Sequence, residues 1–504
     1  MFSFVEIIQK MGFIQKDALK TMIITYFGLL LGYLNKGVLF VLILKTEEIG
    51  LVNLILSVGI LFSQLSNLGA INAISRFLPY FRDIKDQRQS FLLLNLLFVF
   101  IGTLIFTLIA YLLQNQISIF YSAKSKQFVE YYYWIIPIGI ANVFFIVFET
   151  YLRALYKNIL SVFLNEFLLR FLVAILLGLL AFKLINFEQF IIYHCIIYFL
   201  PTLILFIYLY KIGEVKVKKS TLHISKKFKQ IIYSFSLYSY TNTLGSLIVL
   251  TMDSLMIAYF LGLNETGVYT TIIYLTSALQ IPYKSLFKIS SPLIPQYWKE
   301  KNLGKMDELY KKFSSIALIV GLYMFLMVWI NIDELFSFLP SDYQSGIYIF
   351  LFLMLGRTFD MYSGLNSAIL ITSKKFKYDN LFTLILLFLV FGLNYWLIPI
   401  YGSVGAAIST GIALVVYNLL RLIFVWKTYR LHPLEKEQVY VFILFSSLIY
   451  ISSLLPSFGL NKYILIVLNS IVFSFIYISV ILKFRLNKEL NLYIENALFK
   501  FKRK

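Results

Sequence analysis

Lone charges inside long apolar runs are the residues of this sequence whose type and position suggest chemistry. Lys36 stands in the run GYLNKGVLF and Asp253 in the run VLTMDSLMIAYFLG, each as the only charged residue. A charged residue at the centre of a membrane helix costs about 2.5–3.5 kcal/mol on insertion scales, so such residues usually serve a function. We interpret Lys36 as a cation lining a wet cavity, with snorkelling to the membrane surface as the alternative. Asp253 is its partner, a proton or cation site, or a local packing group.

Two pairs of opposite charges occur at the spacing of one helical turn. Arg357 and Asp360 are spaced i, i+3, and Glu166 and Arg170 are spaced i, i+4. Residues at these spacings share a helix face and can form an ion pair. For Arg357 and Asp360, a pair that lines the cavity and a purely structural pair both remain open. For Glu166 and Arg170 we favour a structural pair within the helix, with a role in gating or coupling as the alternative.

The composition indicates that these charges belong to membrane helices. Of the 504 residues, 60% are hydrophobic and 14% are charged, and the mean hydropathy is +0.81. Soluble domains are about a quarter charged, and a spanning helix needs about 20 mostly apolar residues. The sequence therefore predicts an all-α integral membrane protein of about fourteen transmembrane helices. The predicted spans are 20–44, 50–72, 90–113, 129–150, 159–182, 188–210, 231–260, 266–290, 313–332, 346–372, 380–400, 403–426, 438–456 and 462–482.

The basic residues are distributed as in a multi-pass membrane protein. The net charge of +20 could suggest nucleic acid as a partner. However, 34 of the 45 Lys and Arg residues fall on alternate connections, which places them on one side of the membrane. By the positive-inside rule that side is cytoplasmic, and both termini lie there. We therefore expect no nucleic-acid partner.

The spans and loops divide the chain into six predicted segments. They are an N-terminal interfacial segment 1–19, an N-lobe 20–210, a basic cytoplasmic inter-lobe loop 211–230, a C-lobe 231–426, two further helices in 427–482 and a basic cytoplasmic tail 483–504.

The two lobes contain a weak internal repeat. Glu48-x-Gly50 and Glu265-x-Gly267 open two similar stretches that end near prolines, and they lie 217 residues apart. The same offset relates Lys36 to Asp253. Because six helices separate the copies, both copies keep the same orientation in the membrane. This predicts a parallel duplication about an axis along the membrane normal, with the two charges on opposite walls of a cleft.

Three stretches carry a family resemblance: LGAINAISRFLP, MDSLMIAYFLGLNETGVYTTIIYLTSALQ and YGSVGAAISTGIALVVYNLLRLIFVWK. Together with the duplicated fourteen-helix plan, they resemble the polysaccharide transporter, or O-antigen flippase (Wzx-type), family of the multidrug/oligosaccharidyl-lipid/polysaccharide exporter superfamily. The resemblance covers nearly the whole chain. It implies a V-shaped, two-lobe transporter in the bacterial inner membrane. Its implied substrate is an undecaprenyl-diphosphate-linked oligosaccharide, which it moves from the cytoplasmic to the periplasmic leaflet.

A flippase for such a lipid needs cations that pair with the diphosphate once it leaves water. The candidates are Lys36, Arg76, Lys284, Lys288 and Arg357. Arg76, Lys284 and Lys288 fall toward the cytoplasmic ends of their helices, where they either capture the diphosphate or extend to lipid headgroups. Pro282 and Pro292 flank the two lysines and could hinge the helix. Arg421, in the last turns of the twelfth helix, is expected at the membrane interface.

The sequence predicts a transporter and no enzyme. It has no Walker A motif, and its one cysteine, Cys195, and three scattered histidines do not suggest a metal site. We expect no cofactor, with coupling to a proton or sodium gradient. The expected partners are the lipid-linked oligosaccharide, membrane lipids, polysaccharide polymerase and glycosyltransferases, and the expected functional unit is a monomer. Rival interpretations are a lipid II flippase, a cation-coupled multidrug antiporter and, outside transport, a membrane-embedded glycan polymerase or ligase.

Overall fold

The computed structural model describes residues 13–81, 83–215, 225–454, 461–487 and 491. Most of the predicted interfacial segment 1–19, the centre of the 211–230 loop and most of the tail 483–504 lie outside the described residues. Within them the secondary structure is helical and contains no strand, as the sequence predicts. Contacts divide the chain into two compact units, Met1–Thr271 and Ile272–Lys504. Nothing in this division tests the predicted lobe boundaries, which stay predictions.

The helices that lie in the first unit, with α14 continuing past its end, are α1 Phe13–Tyr33, α2 Phe40–Ile43, α3 Thr46–Ser66, α4 Ala70–Phe81, α5 Lys85–Leu112, α6 Gln114–Ser122, α7 Lys126–Glu130, α8 Ile135–Ala154, α9 Ile159–Val162, α10 Leu169–Ala181, α11 Phe187–Ile196, α12 Phe199–Lys211, α13 Lys226–Phe260 and α14 Leu263–Ala278. Two π-helical segments, Leu34–Leu39 and Phe163–Leu168, join α1 to α2 and α9 to α10.

The remaining helices lie in the second unit. They are α15 Ile281–Ser290, α16 Leu293–Lys299, α17 Leu303–Trp329, α18 Ile332–Phe336, α19 Gly346–Ser363, α20 Leu365–Thr372, α21 Lys377–Tyr401, α22 Ser403–Tyr429, α23 Lys436–Leu454 and α24 Lys462–Lys483.

Twelve helical stretches of the described chain are long and apolar enough to cross a membrane. The other two predicted spans, the eighth and the tenth, are broken helices. The tenth is divided at Gly364 into α19 and α20. The eighth is interrupted between α14 and α15, and Pro282 lies in the first turn of α15. A further break, at Pro292, separates α15 from α16. A proline lacks the N–H that an unbroken helix requires. The breaks next to Pro282 and Pro292 therefore fall where the sequence predicts hinges.

The second span is also broken, which the sequence analysis did not predict. Asn67, Leu68 and Gly69 separate α3 from α4, and the Asn67 side chain accepts a hydrogen bond from the Gly69 N–H at 2.8 Å. Gly69 has φ +83°, and a Cβ built there would lie 2.9 Å from the Ser236 carbonyl oxygen of α13. The backbone conformation and the close approach of α13 both require glycine here.

Small residues allow close helix packing in the second unit. A Cβ built on Gly356 of α19 would lie 2.7 Å from the Gly411 Cα of α22. Apolar side chains gain little from association inside a lipid bilayer, so such close backbone contacts supply much of the packing between membrane helices. This contact fixes α19, which carries Arg357 and Asp360, against α22.

Candidate functional site

Lys36 lies in the π-helical segment of the first span and is held by an amide of the next span. Its Nζ donates a hydrogen bond to the Asn53 Oδ1 at 3.0 Å. The Asn53 amide nitrogen in turn donates to the Thr270 Oγ1 at 3.1 Å and to the Ile49 carbonyl oxygen at 3.0 Å. A π-helical turn inserts one residue into the helix and is frequently found at functional sites. Lys36 therefore stands on a locally widened helix next to a polar partner.

Asp253 is buried on α13 and, like Asn53, has a hydrogen-bond partner on α14. Its Oδ2 accepts a hydrogen bond from the Tyr269 hydroxyl at 2.6 Å. The Asp253 side chain is 4% exposed and Tyr269 is fully covered. Because Tyr269 directly precedes Thr270, the partners of both predicted charges occupy adjacent positions of α14. We call Lys36, Asn53, Asp253, Tyr269 and Thr270 the charge cluster.

The charge cluster lies beside a close helix crossing. A Cβ built on Gly50 would lie 1.9 Å from the Leu263 carbonyl oxygen, and one built on Gly267 would lie 1.9 Å from the Thr46 carbonyl oxygen. Real Cβ atoms do not approach backbone atoms so closely. The first turns of α3 and α14 can therefore cross at this distance only because both positions are glycine.

The contacts at this crossing are reciprocal and follow the repeat. Asn53 and Thr270 are hydrogen-bonded to one another and are 217 positions apart. Gly50 and Gly267 have the same separation, as do Thr46 and Leu263. The offset found in the sequence thus pairs residues that meet in space, as expected where a local twofold axis passes between two equivalent helix starts.

Glu166 and Arg170 form the ion pair that their spacing predicts. The Arg170 Nη2 lies 2.7 Å from the Glu166 Oε2, with both side chains partly exposed. Glu166 belongs to the second π-helical segment, and a Cβ built on Gly28 of α1 would lie 2.1 Å from its carbonyl oxygen. The Arg170 carbonyl oxygen accepts a hydrogen bond from the Asn35 amide at 2.7 Å. The pair therefore stands where α1 and the fifth span pack closely. Its role in gating or coupling stays a prediction.

Arg76, Lys284 and Lys288 are exposed cations on the short helices α4 and α15. The Arg76 guanidinium carbon lies 4.1 Å from the centre of the Phe235 ring, a cation–π contact between α4 and α13. Lys284 and Lys288 lie one turn apart on α15. These positions suit both anion capture and contact with lipid headgroups, and the alternatives stay open.

Arg357 and Asp360 each have a partner on another helix. The Arg357 Nη1 donates to the Ile273 carbonyl oxygen at 3.3 Å, and the Asp360 Oδ1 accepts a hydrogen bond from the Asn418 amide at 2.9 Å. Asn418 is 1% exposed. Asp360 is thus connected to α22, which the sequence analysis did not associate with the site.

The expected interfacial position of Arg421 is wrong. Its side chain is buried in the second unit, where it forms an ion pair with the buried Asp379. Its guanidinium carbon lies 4.0 Å from the centre of the Tyr417 ring. Since α21 and α22 are antiparallel and only Gly402 separates them, Asp379 at one end and Arg421 at the other come to the same level. That register is the sequence signal that could have found the pair.

A second cluster of polar residues lies where the predicted inter-lobe loop begins, in the first unit. The buried Glu214 accepts hydrogen bonds from the Arg88 Nη2 at 2.6 Å, the Arg88 Nε at 3.0 Å and the Tyr151 hydroxyl at 2.8 Å. Burial by itself would raise the pKa of the Glu214 carboxyl. The hydrogen bonds from Arg88 and Tyr151 and the charge of Arg88 outweigh burial, so its pKa is lowered.

Stability is expected to depend on pH through Glu214. A carboxyl whose pKa is lower in the folded protein stabilises it above the unfolded value, about 4.3, and that contribution is lost as the pH falls through the folded value. In detergent, Glu214→Gln should therefore lower the melting temperature at pH 7, and the gap to the unaltered protein should narrow as the pH falls from about 5 to 3. Glu130→Gln, at an exposed position, is the control. A gap that stays constant over this range would contradict the ion pair.

Comparisons with known proteins agree with this architecture. Residues 14–298, more than half of the chain, match the family model described as polysaccharide biosynthesis protein. The capsular polysaccharide biosynthesis protein CapF of Staphylococcus aureus is 24% identical over 196 residues, which cover 38% of this chain and 49% of that protein. The chain thus matches about half the length of this curated relative.

Two groups of solved transporters share the fold. Lipid II flippase MurJ in an inward closed conformation superposes with a TM-score of 0.68 at 16% identity, covering 93% of this chain and 99% of that one. An inward-facing multidrug resistance MATE family transporter of the MOP superfamily gives a TM-score of 0.58 at 17% identity, covering 80% and 94%. At these identities the likeness concerns the fold.

Proposed function

Because the chain belongs to the polysaccharide biosynthesis protein family and has the MOP exporter fold, we propose that it flips an undecaprenyl-diphosphate-linked oligosaccharide across the bacterial inner membrane by alternating access. Its termini are then cytoplasmic, in keeping with the distribution of its basic residues. The observation that carries the proposal is a lysine in the middle of the first span, hydrogen-bonded to the Asn53 amide. Such a cation suits a diphosphate that has left water, because a buried phosphate charge must be paired.

The charge cluster offers a means of coupling. A diphosphate that reaches Lys36 replaces the neutral Asn53 oxygen with a charged acceptor, and charge-assisted hydrogen bonds are roughly twice as strong as neutral ones. Asn53 is then free to change its bond to Thr270, next to Tyr269 and Asp253. Protonation of Asp253, or its binding of sodium, would act on the same turn of α14. This is how a proton or sodium gradient would act on transport.

Lys36→Ala and Asp253→Asn are expected to slow flipping in proteoliposomes that contain a fluorescent undecaprenyl-diphosphate oligosaccharide. Loss of a hydrogen bond to a charged group, about 1.5–3 kcal/mol, corresponds to a rate decrease of about tenfold or more. Lys126→Ala and Asp333→Asn, at exposed positions on short helices, make the same changes of charge and should retain the rate. Unchanged flipping in both cluster variants would rule out the role of the charge cluster.

The same liposomes separate the rival substrates. MurJ is named as a lipid II flippase and the second neighbour as a multidrug resistance transporter, so lipid II and a cationic drug are the alternatives to compare. We expect both diphosphate lipids to be moved faster than the cationic drug, because the candidate residues in the spans include several cations. We expect the oligosaccharide lipid to be moved faster than lipid II, because the matching family model is that of a polysaccharide biosynthesis protein. Transport of the cationic drug alone would overturn the proposal.

A further inference from the structure

A cavity of about 510 Å³ lies in the first unit and is separate from the charge cluster. Ile24 of α1, Leu160 of α9 and Tyr208 of α12 form its walls, together with Phe163 of the π-helical segment. Tyr156 and Lys157, in the connection between α8 and α9, complete the lining. Most of the lining is therefore apolar, and it has one cation.

The position of the cavity places it at the membrane surface. Lys157 lies in the link between the span that ends at Ala154 and the span that begins at Ile159. Tyr208 is near the end of the span that finishes at Lys211, and Ile24 is near the start of the span that begins at Lys20. All four spans thus have an end at the cavity. A ligand here meets the headgroup layer at Lys157 and the hydrocarbon layer at Phe163.

A second cation belongs to the same region. Lys20 precedes Ile24 by one helical turn, so the two residues share a face of α1. Lys20 and Lys157 are both exposed. Among the side chains that the structure describes, which exclude those of residues 13–19, no carboxylate forms an ion pair with either lysine. Two positive charges therefore stand in this region, and no carboxylate whose side chain the structure describes is paired with either of them.

Tyr156 presents its ring at the cavity from a strained backbone. It has φ +60°, at the position after a helix where glycine is usual. The Lys157 N–H donates to the Leu152 carbonyl oxygen at 2.8 Å, which closes the end of α8. A residue with a Cβ is strained in this left-handed conformation. Strain of this kind is often kept where a side chain serves a function. The turn also projects Lys157 next to the tyrosine.

We propose that this cavity binds an anionic phospholipid of the surrounding bilayer. Its phosphate pairs with Lys157 and Lys20, and one of its chains lies along Ile24, Leu160 and Phe163. The mostly apolar walls favour a lipid over a free anion, because Ile24, Leu160 and Phe163 can contact a lipid chain but cannot bond a phosphate. The two lysines favour an anionic over a zwitterionic headgroup.

The proposal is tested with the full-length protein in nanodiscs of equal parts phosphatidylglycerol and phosphatidylcholine. After transfer to detergent, native mass spectrometry counts the lipids that remain bound. The unaltered protein should retain phosphatidylglycerol preferentially. Each lysine near an anionic surface is worth roughly a fivefold change in affinity. Lys157→Gln should therefore weaken retention about fivefold and Lys20→Gln/Lys157→Gln further. Ile24→Trp, which fills the cavity, should also reduce it while leaving both lysines.

Lys126→Gln removes an exposed lysine elsewhere and is the matched control, which should retain phosphatidylglycerol normally. Equal retention of the two lipids, or retention unchanged in the double lysine variant, would overturn the proposal. A third arm contains undecaprenyl phosphate. If this lipid displaces phosphatidylglycerol at equal concentration, the cavity is a site for the polyprenyl chain and the assignment to a bulk phospholipid is wrong. None of these outcomes depends on flipping activity, so the site and the proposed function can fail separately.

Discussion

Gly50→Ala and Gly267→Ala are each expected to slow the proposed flipping strongly. The new methyl group would lie 1.9 Å from a backbone oxygen of the facing helix, so α3 and α14 must move apart at their crossing. That movement would break the hydrogen bond between Asn53 and Thr270 and separate the partners of Lys36 and Asp253. Flipping should fall by at least about tenfold, since more than one polar contact is lost at once.

The crossing itself can be monitored in the same variants. Cysteines at Asn53 and Thr270, whose side chains are hydrogen-bonded at 3.1 Å, should be joined readily by a short bifunctional thiol reagent. The cross-link should form in the otherwise unaltered protein and become much weaker when Gly50→Ala is added. Gly178→Ala and Gly392→Ala are matched controls, because a Cβ at either helix position meets nothing within 4 Å. These two changes should be neutral or slightly stabilising, by up to about 1 kcal/mol. Normal flipping by Gly50→Ala would contradict the importance of the crossing.

Removing one member of the Arg421–Asp379 pair is expected to give the largest loss of stability. Both side chains are buried, and the loss of one leaves the other charge without compensation. Such changes cost about 3–5 kcal/mol of the free energy of unfolding. Arg421→Met and Asp379→Asn should therefore melt at clearly lower temperature in detergent. The double variant Arg421→Met/Asp379→Leu should recover much of the loss, because an apolar pair of similar size leaves no buried charge.

Lys311→Met provides the control for a pair of the same kind at a more exposed site. Lys311 and Asp307 form an ion pair one turn apart on α17, with side chains 28% and 26% exposed. Breaking such a pair on a helix costs about 0.3–0.5 kcal/mol. Equal losses from Lys311→Met and Arg421→Met would show that burial does not set the contribution of the inner pair.

The sequence by itself determined the fold class, the position of most spans and which charged residues lie inside them. Hydropathy over about 20 residues decides whether a helix can cross a bilayer, and this depends only on local composition. The duplication could also be detected in the sequence, because equivalent helices have charged residues and glycines at equivalent positions. The offset that related Lys36 to Asp253 also relates Asn53 to Thr270, which are hydrogen-bonded. The ion pair of Glu166 and Arg170 was predictable because i, i+4 neighbours share a helix face.

Which residues contact the charges inside the spans was decided only by the tertiary structure. Sequence fixes how deep a residue lies along its helix, but the rotation of that helix and the identity of its neighbours depend on packing with distant segments. Lys36 therefore donates a hydrogen bond to Asn53, and Asp253 accepts one from Tyr269, although neither local spacing nor residue type specifies these pairs. The π-helical turns have the same origin. One inserted residue hardly changes the hydropathy profile of a span, so the profile does not locate a π-helical turn. The turn at Phe163–Leu168 lies where Glu166 packs closely against Gly28 of a neighbouring helix.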